Sequence, residues 1–360
     1  MRKKLLAGVM ALALCSTNMP PQTIFAGEFT SGNLEEVTEE TPEIFSDDNQ
    51  EVIEETEEEL SVFSSENVPE FSSEVNIMSA TADETEPIGI DMNDITNLNY
   101  YDSSKGIWKI TSAGSYRFNG TGNNDAPILI DHIDSGTVKV YLNNVNIHSA
   151  DRTPPLRITN TVHADVYIYL ESSNLLQSTY INSAALQIDG TTKLIIDNSP
   201  GTNGSLTANS SKHGTGIGSS GNSDLSPAFH IIIKGGAVTA SSFRSMGIGG
   251  NNSNITIKGG LVKVSSDQWC AIGGTKSNIT IDGGSVKASS RTHFGIKSSS
   301  LTINGGSVTA SSEEEPKEDI SSNQIIINGG SVKASSVSSS PTNDHGEKVY
   351  CCTIENLNSK

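Results

Sequence analysis

A pair of adjacent glycines recurs through the second half of the chain. The first glycines of the pairs are separated by 24, 24, 22 and 24 residues, and they are Gly235, Gly259, Gly283, Gly305 and Gly329. A period of this size is typical of solenoids, in which each short unit buries its apolar side only against its neighbours. The repeat therefore predicts an array of stacked coils.

Each unit contains short segments in which apolar and polar residues alternate. In one unit these segments are 254–258, 261–265 and a shorter piece that ends at 271–274, and glycines separate them. Alternation with period two, bounded by glycine, indicates short β-strands and not helices. The sequence thus predicts three strands per coil, with the glycines at corners that need a positive φ or a close backbone approach.

Equivalent apolar residues of successive units should form three inward-facing columns. The first column contains isoleucines, the second valines and the third isoleucines: Ile233, Ile257, Ile281, Ile303 and Ile327; Val238, Val262, Val286, Val308 and Val332; Ile217, Ile248, Ile272, Ile296 and Ile320. Parallel strands of successive coils would pair at about 4.8 Å, and crossover connections favour right-handed winding. We therefore predict an all-β fold, a right-handed parallel β-helix (solenoid) with three short strands per coil and about 22–31 residues per coil.

The preceding part of the chain follows the same plan with longer coils. The segment 138–142 returns at 166–170 and again at 194–197, each time 28 residues later. This gives roughly eight or nine coils in total. The aromatic segments 108–110 and 116–118 precede the regular coils and are predicted to cap their N-terminal end.

Composition divides the chain into four parts. Residues 1–26 have the basic start, short apolar run and small final residue of a secretory signal peptide, and no later segment is long and apolar enough to span a membrane. The formal net charge of −19 arises in residues 27–87, which hold 20 acidic residues and no lysine or arginine and are predicted to be a disordered linker. A β-helix domain is predicted over 88–340, followed by a tail over 341–360.

The mature chain would retain three cysteines, Cys270, Cys351 and Cys352, too few for a disulfide framework or a zinc site. Cys270 falls on the same repeat position as Met246 and Phe294, so it is predicted to be a small apolar filler.

Three tyrosines should point outward from the strand that repeats every 28 residues. Because Val140 and Ile168 point inward, Tyr141, Tyr167 and Tyr169 point outward, and Tyr141 and Tyr169 should stack on adjacent coils. Aromatic rings with a hydroxyl at the rim suit the apolar faces and hydroxyl edges of sugars. These tyrosines are therefore candidate carbohydrate-binding residues, and ordinary cross-strand pairing is the alternative.

Four aspartates lie near these strands and are candidate calcium ligands. They are Asp131, Asp134, Asp165 and Asp189, and the first and last share one column two coils apart. Calcium prefers several oxygen ligands, and close carboxylates repel one another until a cation binds. Solvated or turn-stabilising aspartates are the alternative.

A third candidate group is basic. Lys263, Lys287 and Lys333 should share an outward column with Thr239 and Thr309, and Lys234 and Lys258 should share another. Like charges on adjacent strands repel, so such a column is either tolerated in solvent or used to contact a polyanion. We assign Lys263 and Lys287 to carbohydrate binding. Nucleic acid is excluded as a partner because the domain is nearly neutral and the linker is acidic.

The segments 108–116 and 138–147 resemble a clostridial family of secreted carbohydrate-binding proteins. That family consists of calcium-containing right-handed β-helices that bind cellulose and polygalacturonate and look like polysaccharide lyases without lyase activity. The resemblance covers about residues 88–340. It implies a polysaccharide partner, such as an acidic plant cell-wall glycan, and calcium as a cofactor.

No catalytic motif occurs in the chain: there is no paired-carboxylate motif, nucleophile elbow or phosphate loop. We therefore predict a secreted or cell-surface, non-catalytic polysaccharide-binding protein. One alternative is a surface adhesin or structural repeat protein that binds cells or proteins. The other is a pectate-lyase-like or glycosidase enzyme, for which Arg157 is the basic residue closest to the acidic column.

Overall fold

The computed structural model describes residues 86–120, 126–221, 228–314 and 318–349. The predicted signal peptide, residues 27–85 of the predicted linker, Cys351 and Cys352 lie outside the described residues. Within the described ranges every regular element is a β-strand, so the all-β prediction is confirmed. None of these residues forms a helix with the length and hydropathy of a membrane span.

The strands are short and are numbered here in chain order. They are β1 (Ile88–Asp91), β2 (Tyr101–Asp102), β3 (Ile107–Ile110), β4 (Gly114–Asn119), β5 (Ile128–Ile130), β6 (Thr137–Asn143), β7 (Asn146–Ser149), β8 (Leu156–Ile158), β9 (Asp165–Leu170), β10 (Ser173–Ser178), β11 (Leu186–Ile188), β12 (Lys193–Asn198), β13 (Ser205–Ser210), β14 (Ile217–Gly218), β15 (His230–Ile233), β16 (Ala237–Ser242), β17 (Ile248–Gly249), β18 (Asn254–Ile257), β19 (Leu261–Ser266), β20 (Ile272–Gly273), β21 (Asn278–Ile281), β22 (Ser285–Ser290), β23 (Ile296–Ile303), β24 (Ser307–Ser312), β25 (Ile320–Ile327) and β26 (Ser331–Lys333).

These strands form the three faces of a parallel solenoid. The first face contains β1, β4, β6, β9, β12, β15, β18, β21 and the C-terminal halves of β23 and β25. The second face contains β7, β10, β13, β16, β19, β22, β24 and β26. The third face contains β3, β5, β8, β11, β14, β17, β20 and the N-terminal halves of β23 and β25. Apart from the antiparallel pair β2–β3, all named strands pair in parallel.

The three predicted apolar columns are confirmed. Ile233 pairs in register with Ile257, and Val238 with Val262, while Ile248 pairs with Ile272. All fifteen column residues are buried, with at most 5% of their surface exposed, and they belong to one continuous core. Alternation along each strand thus separates a fully apolar interior from a polar exterior.

Two details of the predicted array differ from the structure. The solenoid has about 10 turns instead of eight or nine. The difference arises because β3 and β4, which were predicted to form a cap, pair in parallel with strands of the next coil and belong to the solenoid. The coil from Leu194 to its partner Ile231 is 37 residues long, beyond the predicted upper bound of about 31. Corner loops lie on the surface and can lengthen without disturbing the strand ladder.

The recurring glycine pair occupies a corner at which no side chain fits. The second glycine of each pair has a positive φ of 81–85°, as in Gly260. A Cβ on Gly260 would lie 2.5 Å from the backbone oxygen of Gly236 in the preceding coil. Both the backbone conformation and the stacking distance therefore require glycine.

Buried serines close a second corner, and this feature was absent from the sequence prediction. The Ser242 hydroxyl donates to the Gly214 carbonyl at 2.8 Å and accepts from the Ser245 amide at 2.8 Å. Ser266 and Ser290 repeat this arrangement in the next two coils. The hydroxyls satisfy backbone groups that turn away from the strand ladder. The Ser-Ser pair that ends β16, β19, β22 and β24 is the sequence signal for this corner.

Gly260→Ala should destabilise the protein by at least about 1–3 kcal/mol, because alanine at this φ is strained and its Cβ meets the preceding coil. Thermal unfolding followed by circular dichroism measures the loss. Gly89→Ala is the matched control, since a Cβ there has nothing within 4 Å. Equal melting temperatures for the two variants would contradict the corner assignment.

Candidate functional site

The three predicted tyrosines form one stack on the outside of the first face. Tyr141 pairs in register with Tyr169, and their ring centroids lie 4.8 Å apart with 20° between planes. Tyr167 lies two residues before Tyr169, with centroids 5.9 Å apart and 14° between planes. The predicted stacking of Tyr141 on Tyr169 is confirmed.

Cations cover the two ends of this tyrosine stack. The Arg117 guanidinium lies over the Tyr141 ring, 5.4 Å from its centroid, and the Lys234 ammonium lies 5.6 Å from the Tyr167 centroid. Stacking and cation–π contacts therefore occupy ring faces that the sequence analysis assigned to sugars. The outer ring faces of Tyr141 and Tyr167 are accordingly covered by cations.

Two ion pairs hold the edges of the stack in place. The Arg117 Nε donates to both carboxylate oxygens of Glu171 at 3.2 and 3.1 Å, and its Nη2 donates to Oε1 at 3.1 Å. The Lys193 ammonium lies 2.5 Å from Asp165, which raises the pKa of Lys193 through that hydrogen bond. The first contact joins β4 to the end of β9, two coils away, and the second joins the neighbouring strands β9 and β12, so both orient the side chains around the tyrosines.

Two further lysines stand beside Tyr167 with no carboxylate partner among the described residues. Lys139 lies in the preceding coil, at the position that pairs with Tyr167. Lys234 lies over the Tyr167 ring. The first face therefore offers an aromatic rim next to two ammonium groups, a combination that suits hydroxylated and carboxylated ligands. Lys139, Arg117 and Glu171 are parts of this site that the sequence analysis did not assign.

Asp131 lies on the third face and is fully engaged by protein donors. Its Oδ1 accepts hydrogen bonds from the hydroxyls of Thr159 and Thr161 at 2.8 and 2.9 Å. Its Oδ2 lies 2.7 Å from His132 Nδ1 and 3.3 Å from the Lys109 ammonium. Burial disfavours the charged carboxylate, but these hydrogen bonds outweigh burial and hold the pKa of Asp131 well below its usual value.

The other three predicted calcium ligands are dispersed. Asp189 accepts from Arg157 Nε at 2.6 Å and from Gln187 Nε2 at 2.7 Å, while Asp165 pairs with Lys193. Asp134 is exposed. No group of three or more His, Cys, Asp or Glu side chains in the described part of the chain could hold a metal ion. These four aspartates thus do not fit a shared calcium site, and calcium binding stays a prediction without a ligand set.

Arg157, the residue that a lyase mechanism would have used, has a structural partner. Its Nε donates to Asp189 across neighbouring coils. A guanidinium held by a carboxylate is a poor proton acceptor. The geometry therefore favours an ion pair within the third face over a catalytic base.

The two predicted binding lysines lie on a different face from the tyrosines. Lys263 and Lys287 belong to β19 and β22 of the second face and pair in register. Thr309 follows Lys287, and Lys333 follows Thr309, so the predicted column is confirmed. The five residues assigned to carbohydrate binding consequently form two separate groups.

Cys270 is a buried filler, as predicted. It is fully inaccessible to solvent, and burial raises the pKa of its thiol to about 12. The thiol therefore stays protonated and unreactive at neutral pH.

Comparison with known families finds two matches. Residues 104–190 match a family described as carbohydrate-binding domain-containing protein. This range contains Arg117, the three stacked tyrosines and Glu171. Residues 231–252 and 301–312 match a family of β-helix repeats. The carbohydrate-binding and β-helix parts of the predicted resemblance are confirmed, and its clostridial origin stays a prediction.

Comparison with solved structures finds a polysaccharide lyase-like protein from C. thermocellum, determined as a gadolinium derivative. The match covers 74% of this chain and 98% of that protein, with 20% sequence identity and a TM-score of 0.48. No curated protein matches the chain.

Asp131→Asn should lower stability at pH 7 by about 1.5–3 kcal/mol, because it weakens hydrogen bonds to a charged group. Since the folded-state pKa of Asp131 is lowered, its contribution is present above the ordinary aspartate pKa and disappears as pH falls below about 4. Melting temperatures of wild type and variant should therefore converge in acid. Asp134→Asn, at an exposed carboxylate, is the control and should change little at any pH. A constant gap between wild type and Asp131→Asn down to strong acid would contradict the assignment.

Proposed function

We propose that the protein is an exported, non-catalytic polysaccharide-binding protein that contacts its ligand through the tyrosine stack of the first face. The observation that carries the proposal is the coincidence of that stack with residues 104–190, which match the carbohydrate-binding family. Export is supported by the signal-like residues 1–26.

The chemistry of the stack suits a polysaccharide with acidic residues. The rims of Tyr141, Tyr167 and Tyr169 contribute apolar edges and phenolic groups, and Lys139 and Lys234 contribute positive charge beside them. Partly exposed aromatic side chains on a rigid sheet lose little conformational entropy when they bind. An acidic plant cell-wall glycan is the proposed partner. Cellulose-like glycans, which carry no charge, are the alternative partner for the same surface.

Retention on glycans is the direct test. Affinity electrophoresis in gels containing polygalacturonate, soluble cellulose derivatives or xylan should retard the protein, and Tyr169→Ala should weaken retention about tenfold, as expected for a central aromatic contact. Tyr180→Ala is the matched control, since Tyr180 lies outside the stack and accepts from Arg152 Nε at 3.1 Å. Absence of retention on every glycan, combined with binding to cells or proteins, would select the adhesin alternative.

The non-catalytic part of the proposal has its own test. Prolonged incubation with polygalacturonate, with and without calcium, should give no ultraviolet absorbance from unsaturated uronate ends. The engagement of Arg157 by Asp189 supports this expectation. Absorbance that appears with wild type and is lost in Arg157→Ala would assign lyase activity instead.

A further inference from the structure

The second face differs from the rest of the solenoid in its charge. Its eight strands contain no aspartate, glutamate or arginine, and their only permanently charged residues are Lys263, Lys287 and Lys333. Most other outward positions carry small hydroxyl or amide side chains. The face is therefore a long, polar surface with positive charge concentrated in one column.

The positive charge of this column is not neutralised within the described residues. All three lysines are exposed, and none forms an ion pair there. Two of the nearby carboxylates at the strand ends are engaged elsewhere, while Glu313, directly after β24, is exposed. Asp267 binds Arg291 through both oxygens at 2.5 and 3.1 Å, and Asp282 accepts from Asn304 Nδ2 at 2.8 Å. The three ammonium groups thus remain available to an external anion.

The column has a defined direction. Lys263 and Lys287 stand on neighbouring coils, and Lys333 follows two coils later after Thr309. Neighbouring strands are about 4.8 Å apart, so the charges follow the solenoid axis at that interval and its multiples. Serines flank the column on one side, and their hydroxyls can bond to a polymer that lies along it: Ser265, Ser289 and Ser311.

The lysine column and the tyrosine stack cannot serve as one compact site. The tyrosines lie on β6 and β9 of the first face, whereas the lysines lie on β19, β22 and β26 of the second face. The two groups belong to different faces and to coils far apart in the array. Each group therefore has to contact its own stretch of ligand.

We infer that the second face is a separate docking surface for an anionic polysaccharide lying along the lysine column, and that one protein molecule thereby links two polymer chains. Charge complementarity carries this assignment, because the strands of this face carry three lysines and no carboxylate and so attract a polyanion. The linking step rests on the proposed function of the tyrosine stack, but docking on the second face does not.

A triple variant tests the docking surface. In a Tyr169→Ala background, which weakens the first-face site, Lys263→Gln, Lys287→Gln and Lys333→Gln together should weaken binding to polygalacturonate about 100-fold at low ionic strength, since each lysine near an anionic surface contributes roughly fivefold. The salt dependence of the remaining affinity should also become shallower, because fewer counterions are released. The control triple variant is Lys212→Gln, Lys258→Gln and Lys276→Gln, which makes the same charge change at exposed lysines outside the second-face strands.

A sandwich experiment tests linking. Wild-type protein bound to immobilised polygalacturonate should capture fluorescent soluble polygalacturonate, and the second-face triple variant should not. Tyr169→Ala reports on the first face in the same assay. If the proposed function fails, wild type still binds immobilised polygalacturonate in a lysine-dependent way but captures no second polymer, and Tyr169→Ala changes neither step.

Three binding results would overturn the inference. Equal loss of polygalacturonate affinity in both triple variants would indicate an effect of net charge alone. Unchanged capture of soluble polygalacturonate by the second-face variant, or no polygalacturonate binding by wild type at low salt, would also reject it. Sedimentation velocity of both triple variants completes the test. A change of oligomeric state in the second-face variant without a change in polygalacturonate affinity would identify a self-association surface and would likewise reject the docking assignment.

Discussion

Parallel hydrogen bonding between successive coils is the interaction on which the rest of the structure depends. A parallel ladder sets neighbouring coils about 4.8 Å apart, so every position of one coil lies directly against its equivalent in the next. Gly260 is required because the Gly236 carbonyl approaches it at a corner, and Ser242 is buried because its hydroxyl completes the bonding of another corner. The apolar columns fill the space that the ladder encloses.

The same spacing governs chemistry on the outside of the solenoid. Tyr141 and Tyr169 stack at 4.8 Å because the ladder puts them there, and the rings then use their faces on each other and on flanking cations. Asp131 is kept charged by donors from its own and adjacent coils. The outward residues of a column therefore either bind other residues of the protein, as around Asp131, or form no ion pair among the described residues, as with the lysines of the second face.

The two candidate surfaces follow from this distinction. On the first face, ion pairs such as Arg117–Glu171 brace an aromatic rim and leave Lys139 and Lys234 beside it. On the second face, small hydroxyl side chains surround lysines that have no acidic neighbour in their strands. A rigid solenoid holds both surfaces in fixed geometry, which lowers the entropic cost of binding an extended polymer.

The sequence by itself determined the solenoid, its three strands per coil, its apolar columns and the outward direction of the tyrosines and lysines, because these depend on local alternation and a fixed repeat. Tertiary structure alone decided what the outward residues contact. Asp131 and Asp189 share a column as the sequence indicated, but threonines, Arg157 and Gln187 bind them, since partners from neighbouring coils depend on loop length and side-chain reach. For the same reason, only the folded chain shows that the tyrosine faces are covered and that tyrosines and lysines lie on separate faces.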